Sequence, residues 1–188
     1  MTAHVVIRGY ASVFNRRFRP VGPTAMIVRP GAFQLGGSIP LHVDHADHEV
    51  LATSADDMRL WQDAHGLGFE VDVTDDLLDK LARDVASGRR DAVSVGFGTD
   101  RTSTLEIRDG EQIEIVSKAR IDEISLLASG ACPGARAWLC VGGQDRAPYD
   151  LRNLATRWNV GRAHSIVAAQ RKPVARSEER RVGKECRL

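Results

Sequence analysis

A serine hydroxyl attacks a carbonyl only when a neighbouring base takes its proton, and histidine titrates in the range that suits the task. One serine of this sequence sits in a setting fit for attack. In Asp91-Ala-Val-Ser-Val-Gly-Phe-Gly98 a period of two puts Val93, Val95 and Phe97 on one face and Ala92, Ser94, Gly96 and Gly98 on the other. The first is a core face. The second is a floor of minimal side chains with one hydroxyl, where a substrate backbone can come close. The segment is not the G-x-S-x-G elbow, so an α/β-hydrolase is not indicated. On pattern alone, a plain interior serine on a tapering strand face is the commoner explanation of Ser94.

A base for that serine is available in Leu41-His-Val-Asp-His-Ala-Asp-His48. Alternation sets Ile39, Leu41, Val43 and His45 on the buried face and His42 on the other, so His45 ends a strand while pointing inward. Solvated loop histidines are the blander alternative. A metal site is a third, but the i, i+3, i+6 spacing of His42, His45 and His48 fits neither face of a strand, and no H-E-x-x-H occurs. Glu123, in Arg120-Ile-Asp-Glu-Ile-Ser-Leu-Leu127, shares a face with Ile121 and Leu127 by the same period. A carboxylate on so apolar a face needs a partner. That partner is either a histidine that it orients or an arginine in a structural pair, while Asp122 points the opposite way.

The elements that must hold these residues are mostly strands. His4 to Phe14 places Val5, Ile7, Ala11 and Val13 on one face; further strands are expected at 25–28, 39–45, 49–61 and 67–73. In the last of these, Leu67, Phe69, Val71 and Val73 alternate with Glu70 and Asp72. A single helix comes next, capped by Thr74, with Leu77, Leu78, Leu81 and Val85 as its apolar stripe and Gly88 as its stop. Strands resume at 91–100, at 105–116 as a hairpin around Asp109-Gly110, and at 120–128. Many short antiparallel strands with few helices predict a mainly β chain, an antiparallel barrel of about seven strands with peripheral helices.

Composition narrows the function classes. The chain has 188 residues, 43% hydrophobic and 27% charged, which is a globular balance with room for one core. A formal net charge of +1 and 5% aromatics give no general pull toward nucleic acid. No apolar run approaches the roughly 20 residues of a membrane span, and the first residues do not read as a signal peptide. Cys132 and Cys140 could pair at most once, and no CxxC occurs. The expectation is a soluble cytoplasmic protein whose main domain covers residues 1–141. Residues 142–175 read as a polar extension with a short helix near Asp150 to Trp158. Residues 176–188 read as the in-frame translation of a sequencing adapter, a disordered tail without function.

The order of the signals says more than any one of them. Gly9-Tyr-Ala-Ser-Val-Phe14, Arg29-Pro-Gly-Ala-Phe33, Ile39-Pro-Leu with His45, Gly66-Leu, Ser94-Val-Gly-Phe97, and Glu123-Ile-Ser-Leu-Leu127 with Ala131 and Pro133 succeed one another along the chain. This succession resembles the prohead (capsid-maturation) serine proteases of tailed phages, relatives of the herpesvirus assemblins, from about Val5 to Ala137. Two positions depart from the family pattern: Ala52 stands where a glycine is usual, and Gly130 where a proline often precedes the alanine. Both touch loop geometry more than chemistry.

The resemblance implies a β-barrel of herpesvirus-protease type with Ser94 as nucleophile, His45 as general base and Glu123 as the third member. Because the herpesvirus relatives use a second histidine in the orienting role, His42 and His48 stay in view. It further implies an endopeptidase that needs no cofactor or metal. Its substrates would be scaffold and major capsid proteins, and itself, inside the procapsid in the host cytoplasm. Self-association is expected, with neither nucleic acid nor membrane as a direct partner. Two alternatives from other classes are a catalytically silent capsid or scaffold assembly factor and a metal-dependent hydrolase using His42, His45 and His48.

Overall fold

The computed structural model describes residues 4–20 and 22–146. The strands, in chain order, are β1 (Val5–Val13), β2 (Arg17–Phe18), β3 (Ala25–Val28), β4 (Phe33–Gln34), β5 (Pro40–Val43), β6 (Ala52–Thr53) and β7 (Met58–Gln62). They continue as β8 (Gly66–Asp72), β9 (Ala92–Phe97), β10 (Thr102–Arg108), β11 (Glu111–Leu127), β12 (Ala137–Val141) and β13 (Gln144–Arg146), with helix α1 (Asp76–Ala86) between β8 and β9. The protein is mainly β, as expected, and α1 is the one helix among the described residues.

The antiparallel barrel is not what the hydrogen bonds draw. Among the described residues there are two sheets that do not close into a barrel: a five-stranded sheet in the order β13-β12-β1-β8-β7, and an eight-stranded one built around β11. The first is antiparallel throughout. The second is mixed, because β11 is long enough to serve several partners along each edge. It pairs antiparallel with β10 and β9 but parallel with β3, β4 and β5. Parallel pairs need long crossover connections, and the chain between β5 and β11 supplies one through sheet, helix and hairpin.

Two bulges make this 17-residue strand usable. The first extra residue is Ser117, skipped between the Ser103↔Val116 and Thr102↔Lys118 pairs. The second is Asp122, skipped between Ile121↔Phe97 and Glu123↔Gly96. Each bulge reverses the facing of the residues beyond it. Val116, then Ala119 and Ile121, then Ile124 and Leu126 can therefore all reach the same core, although their spacings break the period of two. That core also takes Ile7, Leu41, Leu67 and Phe69, all 0% exposed. Ile113 and Ile115 face the other way and form a small second cluster with Ala25 and Ile27.

Local chemistry explains most of the remaining elements. Asp109 (φ 53°) and Gly110 (φ 77°) adopt the paired left-handed conformation that a two-residue hairpin turn demands. Helix α1 is capped by Asp75 rather than Thr74: the Asp75 carboxylate accepts the Leu78 N–H at 2.9 Å. Leu78, Leu81 and Val85 are buried, but Leu77 is half exposed and outside the stripe. Gly88 (φ 72°) ends the helix as expected. The strand expected over 49–61 is broken, because Thr53 and Asp56 form a side-chain-stapled turn between β6 and β7. At the edge of the five-stranded sheet β13 pairs with β12. The short helix near Asp150 and the tail at 176–188 lie outside the described residues.

The packing of β1 and β8 makes two tests available. A Cβ on Gly9 would lie 2.5 Å from the Arg136 carbonyl oxygen and 2.7 Å from a Phe69 ring carbon. Gly9→Ala is expected to lower the unfolding free energy by about 1–3 kcal/mol in urea titrations. Asp63, in the turn before β8, accepts hydrogen bonds from the Tyr10 hydroxyl at 2.7 Å and from the His65 and Gly66 backbone at 2.7 and 3.0 Å. The Tyr10 hydroxyl, above all, holds the Asp63 carboxyl below the usual carboxylate range. A depressed folded-state pKa contributes stability above the ordinary carboxylate pKa and loses it as pH falls through the depressed value. Urea titrations at several pH values should therefore show Asp63→Ala less stable than wild type near pH 7, with the gap closing at acid pH.

Candidate active site

The register of three strands gathers the polar residues. In the β9–β11 pair Ser94 stands opposite Ser125 and Gly96 opposite Glu123, while in the β5–β11 pair Ser125 stands beside His42. Side chains of paired residues lie on the same side of a sheet, so Ser94, Glu123, Ser125 and His42 share one face. Unbroken alternation groups Glu123 with Ile121 and Leu127. The bulge at Asp122 separates Glu123 from Ile121 and leaves it with Ser125 and Leu127, on the Ser94 side. Gly96 makes room for this: a Cβ there would lie 2.6 Å from the Glu123 Cγ and 2.9 Å from its Oε1.

His45 arrives by a different route from the one alternation predicts. Strand β5 ends at Val43, and Asp44 (φ 54°) and His45 (φ 58°) are both left-handed, so His45 sits in a turn and its side chain is 46% exposed. The Ala46 N–H closes the turn onto the Val43 carbonyl at 3.0 Å. His42, expected on the open face, is instead buried, with Nδ1 3.0 Å from the Glu49 carbonyl oxygen. The chain after the turn folds back over that face, which strand periodicity cannot foresee.

Two consecutive left-handed residues other than glycine cost roughly 1–2 kcal/mol each, so something must hold the turn. The Asp44 N–H donates to the Leu126 carbonyl at 3.1 Å. The Arg90 guanidinium grips the Asp44 carboxylate at 2.5 and 3.2 Å and reaches Asp84 of α1 at 3.1 Å. Hydrogen bonding to Asp44, above all, pushes Arg90 further up, so the clamp stays charged. Neither Arg90 nor Asp44 carries a signal in the sequence, because their pairing spans 46 positions.

The turn delivers His45 Nδ1 to 2.5 Å from Glu123 Oε1, and Glu123 Oε2 accepts the Ser125 hydroxyl at 2.8 Å. The partner of the Glu123 carboxylate is thus a histidine rather than an arginine. Ser94 and His45 line one cavity of about 500 Å³. No hydrogen bond joins them directly among the described residues; in substrate-free sites such contacts are commonly long and tighten on binding. Cys132 lines the same cavity as a free thiol, and burial pushes that thiol up, which keeps it protonated and a poor nucleophile. His42, His45 and His48 are not brought together as a ligand set, and no group of three or more His, Cys, Asp or Glu side chains is placed to hold a metal among the described residues.

A serine that shares a cavity with a histidine held by a carboxylate is a set of groups that serine hydrolases use for acyl transfer. A family model described as caudovirus prohead serine protease matches residues 1–142. The chain belongs to that family and is a serine protease of capsid maturation. Two solved structures are also similar to it. One is KSHV protease in complex with a hexapeptide phosphonate inhibitor, with TM-score 0.42 and 15% identity over 88% of this chain and 77% of that one. The other is KSHV protease, with TM-score 0.39 and 14% identity over 88% and 74%. No curated protein matches the chain.

Ser125 and Gly96 lie inside the Glu123-Ile-Ser-Leu-Leu127 and Ser94-Val-Gly-Phe97 segments, and their contacts with the Glu123 side chain were not foreseen from them. Ser125→Ala removes a donor to Glu123, and Gly96→Ala displaces the carboxylate itself. Steady-state kinetics on a cleavable peptide should show each lowering kcat by about tenfold, the value of one lost hydrogen bond of ~1.4 kcal/mol, with KM changed less than kcat.

Proposed function

We propose that Ser94 is the nucleophile, His45 the general base and Glu123 the residue that orients His45. The observation that carries this reading is the His45–Glu123 contact, made by a histidine that lines the same cavity as Ser94. With Glu123 accepting from Nδ1–H, the Nε2 of His45 is left as the basic nitrogen. In the reaction, Ser94 Oγ bonds to the scissile carbonyl carbon as His45 takes its proton. The tetrahedral oxyanion collapses and expels the amine, which receives that proton from His45, and water then hydrolyses the acyl-enzyme by the reverse proton path. Backbone N–H groups of the small-residue loop around Ser129 and Ala131, which lines the same cavity, would stabilise the oxyanion.

On this reading the protease domain is residues 1–141, and its two sheets are parts of one barrel-like framework. The family points to scaffold and major capsid proteins, and the enzyme itself, as substrates inside the procapsid in the host cytoplasm, with self-association as a further expectation. No helix among the described residues is long and apolar enough to cross a membrane.

The test is covalent labelling of the purified full chain with a fluorophosphonate, the adduct being located by peptide mass spectrometry. Wild type is expected to carry the adduct on Ser94; Ser94→Ala carries none, and His45→Ala labels about 10³-fold or more slowly. An adduct elsewhere, or equal labelling of folded His45→Ala, would overturn the assignment.

A further inference from the structure

We infer that the cavity beside Ser94 is the pocket for a bulky, uncharged, apolar side chain on one of the two residues flanking the scissile bond. The inference rests on the proposed role of Ser94 and adds the substrate class. Phe18, Pro20, Val95, Phe97 and Leu127 form apolar walls, and Ala11 lies among them without a side chain long enough to fill the space. The volume of about 500 Å³ falls within the range of roughly 300–1,000 Å³ in which clefts accept whole organic ligands. It admits a leucine, methionine or phenylalanine side chain with part of the adjoining backbone.

Charge argues against the alternatives. Apart from His45, the wall holds one ionisable side chain expected to be charged, Asp44, and its carboxylate is already matched by Arg90 at 2.5 and 3.2 Å. A lysine or arginine of the substrate would find no free carboxylate there. Arg101 lies over the Phe97 ring, but its Nε and Nη2 are engaged by Glu114 at 2.7 and 2.8 Å. Arg16 is close enough for its charge to act on the Cys132 thiol, yet it is exposed and not a wall residue. An acidic side chain would meet the hydroxyls of Ser12 and Ser129 but no free cation on the wall, and a buried charge that only neutral donors face is rejected more strongly than an ill-fitting apolar group.

The test is cleavage-site profiling of a proteome-derived peptide library by the full chain, with fluorophosphonate labelling of Ser94 run on the same preparation. Leu, Met and Phe should be enriched by about tenfold or more over Lys, Arg, Asp and Glu at one flanking position. Ala131→Leu, in the exposed loop at the rim, should shift that position toward smaller side chains, and Phe18→Ala should shift it toward larger ones. Enrichment of charged residues, or profiles that neither variant alters, overturns the pocket while a labelled Ser94 leaves the protease reading standing. Absence of both labelling and cleavage overturns the two together.

Discussion

Everything at this site depends on how β9 lies against β11. Backbone hydrogen bonds fix that register, and one extra residue, Asp122, decides what it presents. Without the bulge the period of two would leave Glu123 on the side of Ile121 and Phe97, facing the core. With it, Glu123 lies on the side of Ser94 and Ser125, while Ile121, Ile124 and Leu126 still reach the core. A bulge costs ladder hydrogen bonds, and here the return is that packing and chemistry are satisfied by the same strand.

The remaining partner comes from a turn rather than from a strand. His45 stands on a strained two-residue turn, held from below by a β11 carbonyl and from the side by Arg90, whose other contact is the helix. Ser94 and Glu123, the proposed nucleophile and orienting carboxylate, thus belong to a sheet, whereas His45, the proposed base, belongs to a turn pinned by charge. This division suits a residue that must shift slightly as it receives and returns a proton, and it ties the position of His45 to the packing of α1.

Strand periodicity made much of this legible. The alternation of Leu67, Phe69 and Val71, the Asp109-Gly110 hairpin and the Gly88 stop all stand where local chemistry put them. Local chemistry also has a fixed horizon. The turn at Asp44 and His45 depends on Arg90, far away in the chain, and the burial of His42 depends on a loop that folds back over it. The bulges left a trace that alternation alone ignores: Val116 to Ala119 and Ile121 to Ile124 are apolar steps of three within a strand of period two. Sheet order was not legible at all, because the parallel pairing of β3, β4 and β5 with β11 is a matter of long-range topology.

On the proposed roles Glu123 holds the Nδ1 proton of His45, and proton NMR reads that bond directly. A histidine N–H shared with a carboxylate at 2.5 Å is shifted far downfield of ordinary amide protons. Such a resonance, assigned to His45 by selective labelling, is expected in wild type and in Ser94→Ala, and is expected to be lost in Glu123→Ala. A resonance that persists in folded Glu123→Ala, or none in wild type, would show that Glu123 does not hold that proton.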